Sequence, residues 1–368
     1  MIEKGKISCI QTVLLVMNMI GATAVMFLPD IVARQAGRDS WLSFALPVLP
    51  GFYILAILYF LQKRFSSGNL IHFLQESFGN ILGKVIALLY LLFFVHTSTI
   101  IVHEFSELIS ATILQNTPLV IMQTIIILLC AYAIIGGLEV VARSFEFASA
   151  IIAIFLIVAL FLAFGVMQIE NLFPVLENGI LPVIRGSIPP VAWVGEIILS
   201  AMLLPYLKKP EEGIRCFAIA IIILEVILIA NAILITAILG TAADRITFPT
   251  FEMIRVLGGT EFRFDALIII IWFMGLFGKI ALFYYVTVLA TAQVLNLKSY
   301  RNLVLPMGII IMALTSQLMT STVELSRYRE KYWPLFAYTF EYIVPSIMIC
   351  VLWLRGILHK AMPSLKSR

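Results

Sequence analysis

Long runs of apolar residues dominate the hydropathy pattern of this chain, and polar residues gather in the short segments between the runs. Most runs reach about 18 residues or more, which lets an α-helix cross roughly 30 Å of hydrocarbon. Glycine and proline mark the ends of the runs. The pattern predicts an all-α membrane protein with ten transmembrane helices. The predicted spans are residues 9–34, 41–62, 82–114, 118–136, 144–168, 187–207, 214–240, 265–295, 302–323 and 335–356.

The composition supports the same class, because 61% of the 368 residues are hydrophobic and only 12% are charged. A soluble globular domain carries about twice that charged fraction. No linker rich in serine or glycine divides the chain, so we expect residues 1–368 to form one transmembrane domain. The longest connections, 169–186 and 241–264, are long enough to form short helices that cover one face.

The distribution of lysine and arginine predicts the orientation of the spans. If the N-terminus is cytoplasmic, that side carries 15 basic residues and the opposite side carries nine, and the remaining one, Lys279, lies in the interior of a span. Positive charge is enriched on the cytoplasmic side of membrane proteins. With ten spans, both termini are then cytoplasmic. The first apolar run is too long for a signal peptide, so we expect an uncleaved span.

The four cysteines stand singly in or beside apolar segments, without paired spacing. They predict neither a disulfide framework nor a metal site, and buried small apolar residues are the expected state. The residues are Cys9, Cys130, Cys216 and Cys350.

The first span carries polar and small residues near its middle, namely Asn18 and the triplet Gly21-Ala22-Thr23, and Pro29 near its end. A glycine costs about 1 kcal/mol relative to alanine inside a helix. Backbone that leaves the helical pattern in a membrane is tolerated only where it lines protein or a water cavity. The segment therefore predicts a broken helix 1 that exposes backbone groups to a solute.

The sixth span repeats this combination, with Pro189-Pro190 followed by Gly195 and Glu196. Its position five spans later predicts an inverted repeat, with a first half over about 9–168 and a second over about 187–356. Broken helices 1 and 6 would cross near the midplane and offer N–H groups and carbonyls to a zwitterion. The alternative is that Gly21 and Gly195 are helix packing points.

Several ionisable residues lie inside predicted spans, where such residues face the bundle interior or a cavity by default. His96, His103 and Glu107 fall on one face of span 3. Lys279 needs a partner, for which Glu104, Glu107 and Glu196 are the candidates. A structural ion pair and a role in solute or proton handling both remain open. The candidate charge or proton sites are Glu104, Glu107, Lys279 and Glu341.

Thr287 and Thr291 lie one turn apart on span 8, about two turns beyond Lys279. Threonine in a span commonly donates to its own i−4 carbonyl, which we expect for both. The four histidines lack metal-ligand spacing, and neither a phosphate loop nor a nucleophile elbow occurs. We therefore expect no enzyme, no metal and no cofactor.

Four segments together resemble a known family. They are Asn18-Met-Ile-Gly21 with Leu28-Pro29, Phe105-Ser106-Glu107-Leu108-Ile109 with Thr117-Pro118, Gly195-Glu196 before Pro205, and Phe251–Leu257 before span 8. Their order and spacing are similar to the B subunit of Ger-type spore germinant receptors. That family is similar in turn to the amino acid–polyamine–organocation transporters, which share the LeuT-type five-plus-five fold.

The resemblance implies a nutrient-binding subunit in the inner membrane of a spore, beside an A-type membrane subunit and a C-type lipoprotein. It also implies a ligand pocket, with an amino acid as the expected ligand. The residues carried over to that pocket are Gly21, Ala22, Thr23, Glu107, Gly195, Glu196 and Thr287. Ala22 and Ala24 depart from the glycine-richer first break of transporter relatives, and this departure fits a sensor at least as well as a carrier.

Three functions remain open at this stage. The first is a receptor subunit that binds a nutrient at the crossing of helices 1 and 6. The second is a proton-coupled amino acid permease that uses Glu107 or Lys279 as its proton site. The third is a structural subunit whose pocket no longer binds a ligand.

Overall fold

The computed structural model describes residues 3–65, 68–112, 114–258, 264–318 and 322–361. Within these ranges the fold is helical, and the one strand-like feature is an isolated bridge between Ile7 and Leu207. The α-helices are α1 (Cys9–Ala36), α2 (Ser40–Ala45), α3 (Val48–Phe65), α4 (Leu70–Phe78), α5 (Asn80–Thr112), α6 (Leu119–Gly136), α7 (Leu138–Ala163), α8 (Leu181–Gly195), α9 (Gly213–Leu239), α10 (Pro249–Gly258), α11 (Asp265–Val294), α12 (Val304–Leu318), α13 (Thr322–Arg327), α14 (Trp333–Tyr338) and α15 (Val344–Ala361).

The all-α membrane architecture predicted from the hydropathy pattern is confirmed. Eight helical stretches in the described ranges are long and apolar enough to cross a membrane. The first, Cys9–Phe65, contains two of the predicted spans in α1 and α3. The ninth predicted span corresponds to α12, of which 15 residues are described. The exact number of ten and the inverted repeat stay predictions.

Helix α1 is the centre of the bundle and packs against α7, α8, α9 and α11. A capping box at Ser8 and Gln11 starts it. It then runs as one α-helix of 28 residues. The predicted break at Gly21-Ala22-Thr23 is therefore wrong. A single glycine weakens a helix by only about 1 kcal/mol, and the surrounding helices offset so small a term.

Proline 29 lies inside α1 without ending it. A proline has no N–H group, so the carbonyl four residues earlier loses its helical donor. That carbonyl belongs to Val25, and it accepts a hydrogen bond from the Thr250 hydroxyl at 2.6 Å. Asn231 in turn donates to Thr250 at 3.2 Å. Helix α10 thus supplies the missing donor, and α1 continues.

The sixth predicted span does break, at the residue pair that the sequence indicated. Helix α8 ends at Gly195, and Glu196–Met202 continue as a 3₁₀ helix. The N–H of Glu196 donates to Trp193 and Val194 instead of the carbonyl four residues back. Outside donors reach this part of α8, because the Tyr342 hydroxyl donates to the Val191 carbonyl at 2.8 Å.

The last predicted span is not one regular α-helix. Two π-helical segments, Tyr328–Tyr332 and Thr339–Ile343, lie between α13, α14 and α15. Single π turns inside helices are frequent at functional sites. The second segment carries Glu341, whose side chain is completely buried.

The predicted short helices in the long connections are also present. Residues Ile169–Leu172 and Gly240–Arg245 form 3₁₀ turns, and α10 lies in the second connection. Helix α4, capped by the Asn69 side chain, was not predicted. It packs against α5, and its apolar residues stand at helical spacing but are too few for a span.

The N-terminal segment is fastened to three parts of the bundle. One carboxylate oxygen of Glu3 accepts from Lys4 and Gly5, and the other accepts from Leu138 and Tyr300. Burial opposes ionisation of Glu3, but these hydrogen bonds outweigh it and lower its pKa. The start of α1 is thereby tied to α7 and α11–α12.

The cysteine prediction is wrong for one pair. Cys9 and Cys216 form a disulfide that joins the start of α1 to the start of α9. The two residues are 207 positions apart in the chain, so spacing could not pair them. Cys130 is buried and unbonded, as predicted, and Cys350 is unbonded and exposed.

Candidate functional site

The strongest polar centre in the bundle joins α1, the break after α8, and α11. The Lys279 ammonium donates to both carboxylate oxygens of Glu196, at 2.9 and 2.8 Å. It also donates to the Thr23 hydroxyl at 2.7 Å. All three side chains are at most 2% exposed. We call Thr23, Glu196 and Lys279 the charged centre.

The structure identifies which of the predicted partners pairs with Lys279. Of Glu104, Glu107 and Glu196, only Glu196 forms an ion pair with it among the described contacts. Thr23 comes from the segment predicted to break, although its helix is intact. The sequence therefore identified all three residues, but it did not identify their contacts.

Trp193 belongs to this site and was not predicted. Its indole N–H donates to the Thr23 hydroxyl at 2.9 Å. The two lone pairs of that oxygen thus accept hydrogen bonds from Lys279 and Trp193. The hydroxyl hydrogen stays available to another acceptor. The available signal was the position of Trp193, one turn before Glu196 in the broken span.

Close packing of α11 brings Lys279 to Thr23. Gly275 lies against Ala22 of α1, and its carbonyl accepts from the Asn18 side chain at 2.9 Å. Gly278 lies against the Phe145 ring so closely that no Cβ would fit. These two glycines let α11 approach α1 and α7, which a bulkier pair would prevent.

Glu341 approaches the charged centre from the last helix. A Cβ on Gly195 would lie 2.2 Å from the Glu341 Oε2 atom, so glycine is required for this approach. Glu196 and Lys279 act electrostatically on Glu341. Neither Glu341 oxygen has a hydrogen-bond partner within the described part of the chain.

The structure gives Gly21 and Ala22 packing contacts. A Cβ on Gly21 would meet the Leu224 side chain of α9 at 2.9 Å. Ala22 faces Gly275 of α11. Both residues adjoin Thr23 in sequence, but these contacts are with neighbouring helices. Their predicted role as pocket lining stays a prediction.

The polar residues of α5 form a separate group toward its far end. Glu104 pairs with the buried Arg329 at 3.5 Å, and Arg329 lies 4.2 Å from the centre of the Phe27 ring. His96 shares a hydrogen bond with Tyr328 at 2.6 Å. Glu107 is buried without a hydrogen-bond partner in the described residues. Among the described residues, no hydrogen bond joins this group to the charged centre.

A cavity of about 160 Å³ opens beside the α5 group. It lies between α5, α6 and α12. Its lining consists of His103, Leu119, Val120, Gln123, Thr315 and Ser316.

Thr287 does not join the charged centre. Its hydroxyl donates to the Phe283 carbonyl at 2.8 Å and lies 3.3 Å from the Ser98 hydroxyl. Thr291 likewise donates to the Thr287 carbonyl. The predicted i−4 bonds are thus confirmed. Thr287 lies eight positions beyond Lys279, about 12 Å along the helix axis.

The charged centre combines three polar groups of different chemistry. One ammonium, one carboxylate and one hydroxyl face each other in a dry interior, where an ion pair needs full hydrogen bonding to offset desolvation. Among the described residues no group of three metal-ligating side chains forms a metal site.

The chain matches known proteins along most of its length. The family model described as Spore germination protein matches residues 6–323. Spore germination protein KB of Bacillus subtilis (strain 168) is 25% identical over 331 residues, covering 88% of this chain and 87% of that protein. Spore germination protein YndE of the same organism is 27% identical over 301 residues, covering 80% and 82%.

A solved structure with a similar fold is Mhp1, a nucleobase-cation-symport-1 family transporter, in a closed conformation with bromovinylhydantoin bound. The TM-score is 0.65 at 13% sequence identity, covering 94% of this chain and 78% of that chain. At this identity the likeness concerns the fold, and it supports the predicted transporter-type fold.

Proposed function

Because the chain belongs to the spore germination protein family, we propose that it is a receptor subunit that binds a small nutrient at the charged centre. The proposed nutrient is an amino acid. The proposed site lies where α1 crosses the broken span α8–Met202, against α11.

One observation carries the proposal, namely the enclosed contact of Lys279 with Glu196 and Thr23. An amino acid presents a carboxylate to Lys279 and an ammonium to Glu196. Inserted between them, it replaces one ion pair by two and leaves neither charge buried without a partner. The free hydrogen of the Thr23 hydroxyl is a further donor for the ligand carboxylate.

The proposed pocket keeps Thr23, Gly195 and Glu196 from the sequence prediction and adds Trp193 and Lys279. In this proposal, Gly21 and Ala22 hold α1 against its neighbours. The proposal leaves out Thr287, whose hydroxyl donates to the Phe283 carbonyl. It also leaves out Glu107, which has no hydrogen-bond partner in the described residues.

Binding would act by changing the balance between a closed and an open bundle. A ligand shifts such a balance only by the difference in its affinity for the two arrangements. Opening must separate Lys279 from Glu196, so a zwitterion that bridges the gap favours the open arrangement. We propose an inverted repeat with halves over about 9–168 and 187–356. Because Glu196 and Lys279 both lie in the second half, this step moves the end of α8 against α11 within that half.

The proposed setting is the spore inner membrane, with both termini cytoplasmic and with an A-type membrane subunit and a C-type lipoprotein as partners. The names of relatives such as Spore germination protein A2 of Bacillus subtilis support a role in germination. Co-purification of tagged chain from spore membranes, followed by protein identification, tests the partners.

A thermal-shift screen of the purified chain tests nutrient binding. A ligand that binds only the folded state stabilises it by about 2.7 kcal/mol at 100 times its dissociation constant. We expect at least one amino acid to raise the melting temperature, and sugars and nucleosides to leave it unchanged. Glu196→Gln and Thr23→Val should lose the shift.

Thr287→Val is the matched control, since it removes the same hydroxyl from a threonine outside the pocket. It should keep the ligand-induced shift. Loss of the shift in Thr287→Val with retention in Thr23→Val would contradict the proposed site. No shift with any amino acid, while partners still assemble, would favour the structural-subunit alternative.

A proton-coupled amino acid permease is the second candidate function. The transporter-type fold supports it, as does a buried lysine that can exchange its partner. Uptake of labelled amino acid into vesicles that hold only this chain, driven by a proton gradient, would establish transport. Binding without uptake would favour the receptor.

A further inference from the structure

The feature that nutrient binding leaves unexplained is the second carboxyl at the charged centre. Glu341 is 0% exposed, and both of its oxygens lack a hydrogen-bond partner in the described residues. It lies in the π-helical segment Thr339–Ile343. The position of Glu341 depends on Gly195, because only a glycine at residue 195 leaves room for the Glu341 carboxyl group.

The nearest hydroxyl donors are turned away from Glu341. Tyr90 donates to the Phe340 carbonyl, and Tyr342 donates to the Val191 carbonyl. Tyr338 donates to the Ile188 carbonyl. A carboxylate in a dry interior attracts such donors, so their use on backbone carbonyls fits a side chain without charge.

The charge balance of the region leads to the same conclusion. Lys279 neutralises Glu196, to which it donates at both oxygens. A second ionised carboxyl beside them would leave one net negative charge in the middle of the membrane, where an unpaired charge is strongly disfavoured. A proton on Glu341 makes the set of three groups neutral.

We propose that Glu341 is a proton-binding carboxyl of the charged centre, protonated while the Gly195–Glu341 contact is closed. The carboxyl group of Glu341 binds one proton. The groups that face it are Glu196 after α8, Lys279 on α11, Tyr90 on α5, and Tyr338 and Tyr342 on its own helix. Glu225 of α9 lies within electrostatic range of Tyr342.

Opening the contact releases the proton. When α8 moves away from the π-helical segment, water reaches Glu341, its O–H bond breaks and the proton passes to that water. The electron pair stays on the carboxylate, which becomes a second acceptor for the Lys279 ammonium. Opening of the bundle and loss of one proton are thereby a single linked step, and low pH favours the closed arrangement.

The role of this proton in opening rests on the proposed function, but its presence on Glu341 does not. An experiment can therefore reject the proton site and nutrient binding independently of each other. Infrared spectroscopy of the purified full-length chain, without added solute, detects the proton at neutral pH. The spectrum of the natural chain minus that of Glu341→Gln should contain the C=O stretching band of a protonated carboxyl. The band should be lost when the pH is raised.

Two controls identify the group. Glu225→Gln removes another buried carboxyl without a partner in the described residues and must leave the Glu341 band in place. Glu196→Gln removes the carboxylate that pairs with Lys279, so Glu341 should ionise in its place and the protonated-carboxyl band should be missing from the spectrum of that variant.

A Glu341→Gln difference spectrum with only carboxylate bands would overturn the proposal. So would failure of Glu341→Gln to fold, because glutamine matches the size and neutrality of protonated glutamic acid. A protonated Glu341 together with no thermal shift from any amino acid would leave the proton site standing and reject nutrient binding.

Discussion

Helix α1 and the broken span that begins with α8 have similar sequence features but different backbone structures. Each has a glycine within two residues of a polar residue, and each contains at least one proline. Helix α1 remains α-helical over its full length, whereas α8 gives way to a 3₁₀ helix at Gly195. Both nevertheless bring a polar side chain to Lys279.

The difference lies in what surrounds the backbone. At Pro29 one freed carbonyl finds one outside donor, Thr250, and the helix resumes. Along α8, tyrosine hydroxyls of the last helix donate to the carbonyls of Ile188 and Val191. The Glu196 side chain is held by Lys279 at the point of change. The outside donors that reach a helix backbone come from neighbouring helices, and composition alone does not specify those neighbours.

The largest effect is expected from the residue that both regions share. Lys279→Met leaves Glu196 buried without a counter-charge, and breaking a buried pair costs about 3–5 kcal/mol. The double variant Lys279→Met/Glu196→Gln should recover most of this, since it buries no charge. The free energy of unfolding in detergent is measured for both variants. An equal loss of stability in the single and the double variant would show that Lys279 and Glu196 are not coupled.

The two glycines should differ in their response to alanine. Gly195→Ala places a Cβ 2.2 Å from Glu341 Oε2 and 2.7 Å from the Tyr342 ring. Overpacking of this kind costs about 1–3 kcal/mol. Gly21→Ala meets only the flexible end of Leu224, and about 1 kcal/mol of helix propensity offsets that contact. Similar melting temperatures for the two variants would contradict this contrast.

Removing the donor that keeps α1 intact should cost less than Lys279→Met. Thr250→Val leaves the Val25 carbonyl without a partner, which costs about 1–3 kcal/mol. In a Pro29→Ala background residue 29 regains its N–H group and supplies the helical bond. The Thr250→Val penalty should then shrink in a double-mutant cycle of unfolding free energies. An undiminished penalty would mean that Thr250 acts through another contact.

The smallest effect concerns Glu3, whose carboxylate ties the segment before α1 to Leu138 of α7 and to Tyr300. Its pKa lies below the ordinary value of 4.5. Its contribution to stability is therefore complete above that pH and is lost as the pH falls through the lowered value.

Glu3→Gln provides the corresponding measurement. The variant should be less stable than the natural chain at neutral pH, and the difference should shrink as the solution is acidified below pH 4.5. The melting temperature recorded against pH reports it. A stability difference that is constant over this range would mean that the charge of Glu3 plays no part.

The spans were predictable because membrane insertion depends on local hydropathy. The helix α11 covers 265–294 against a predicted 265–295, and α6 covers 119–136 against 118–136. The continuity of helix 1, the irregular last span and the Cys9–Cys216 disulfide were not predictable. Each depends on contacts between residues far apart in the chain.

The candidate site shows the same division. Lys279, Glu196 and Glu341 were identified because they are ionisable residues inside predicted spans. Such residues cost free energy in the membrane unless they have a role or a partner. The sequence could not choose among three carboxylates for Lys279, and it left Trp193 out. Thr287 and Glu107 were predicted by resemblance. The Thr287 hydroxyl donates to its own helix, and Glu107 has no hydrogen-bond partner in the described residues.

The sequence by itself determined that this protein is a helical membrane protein and which few residues bear charge inside it, since hydropathy and desolvation act residue by residue. Only the tertiary structure decided which helix breaks and which groups meet. Those outcomes depend on donors and space supplied by other helices, as Thr250 supplies a donor to Val25 and Gly195 supplies space to Glu341.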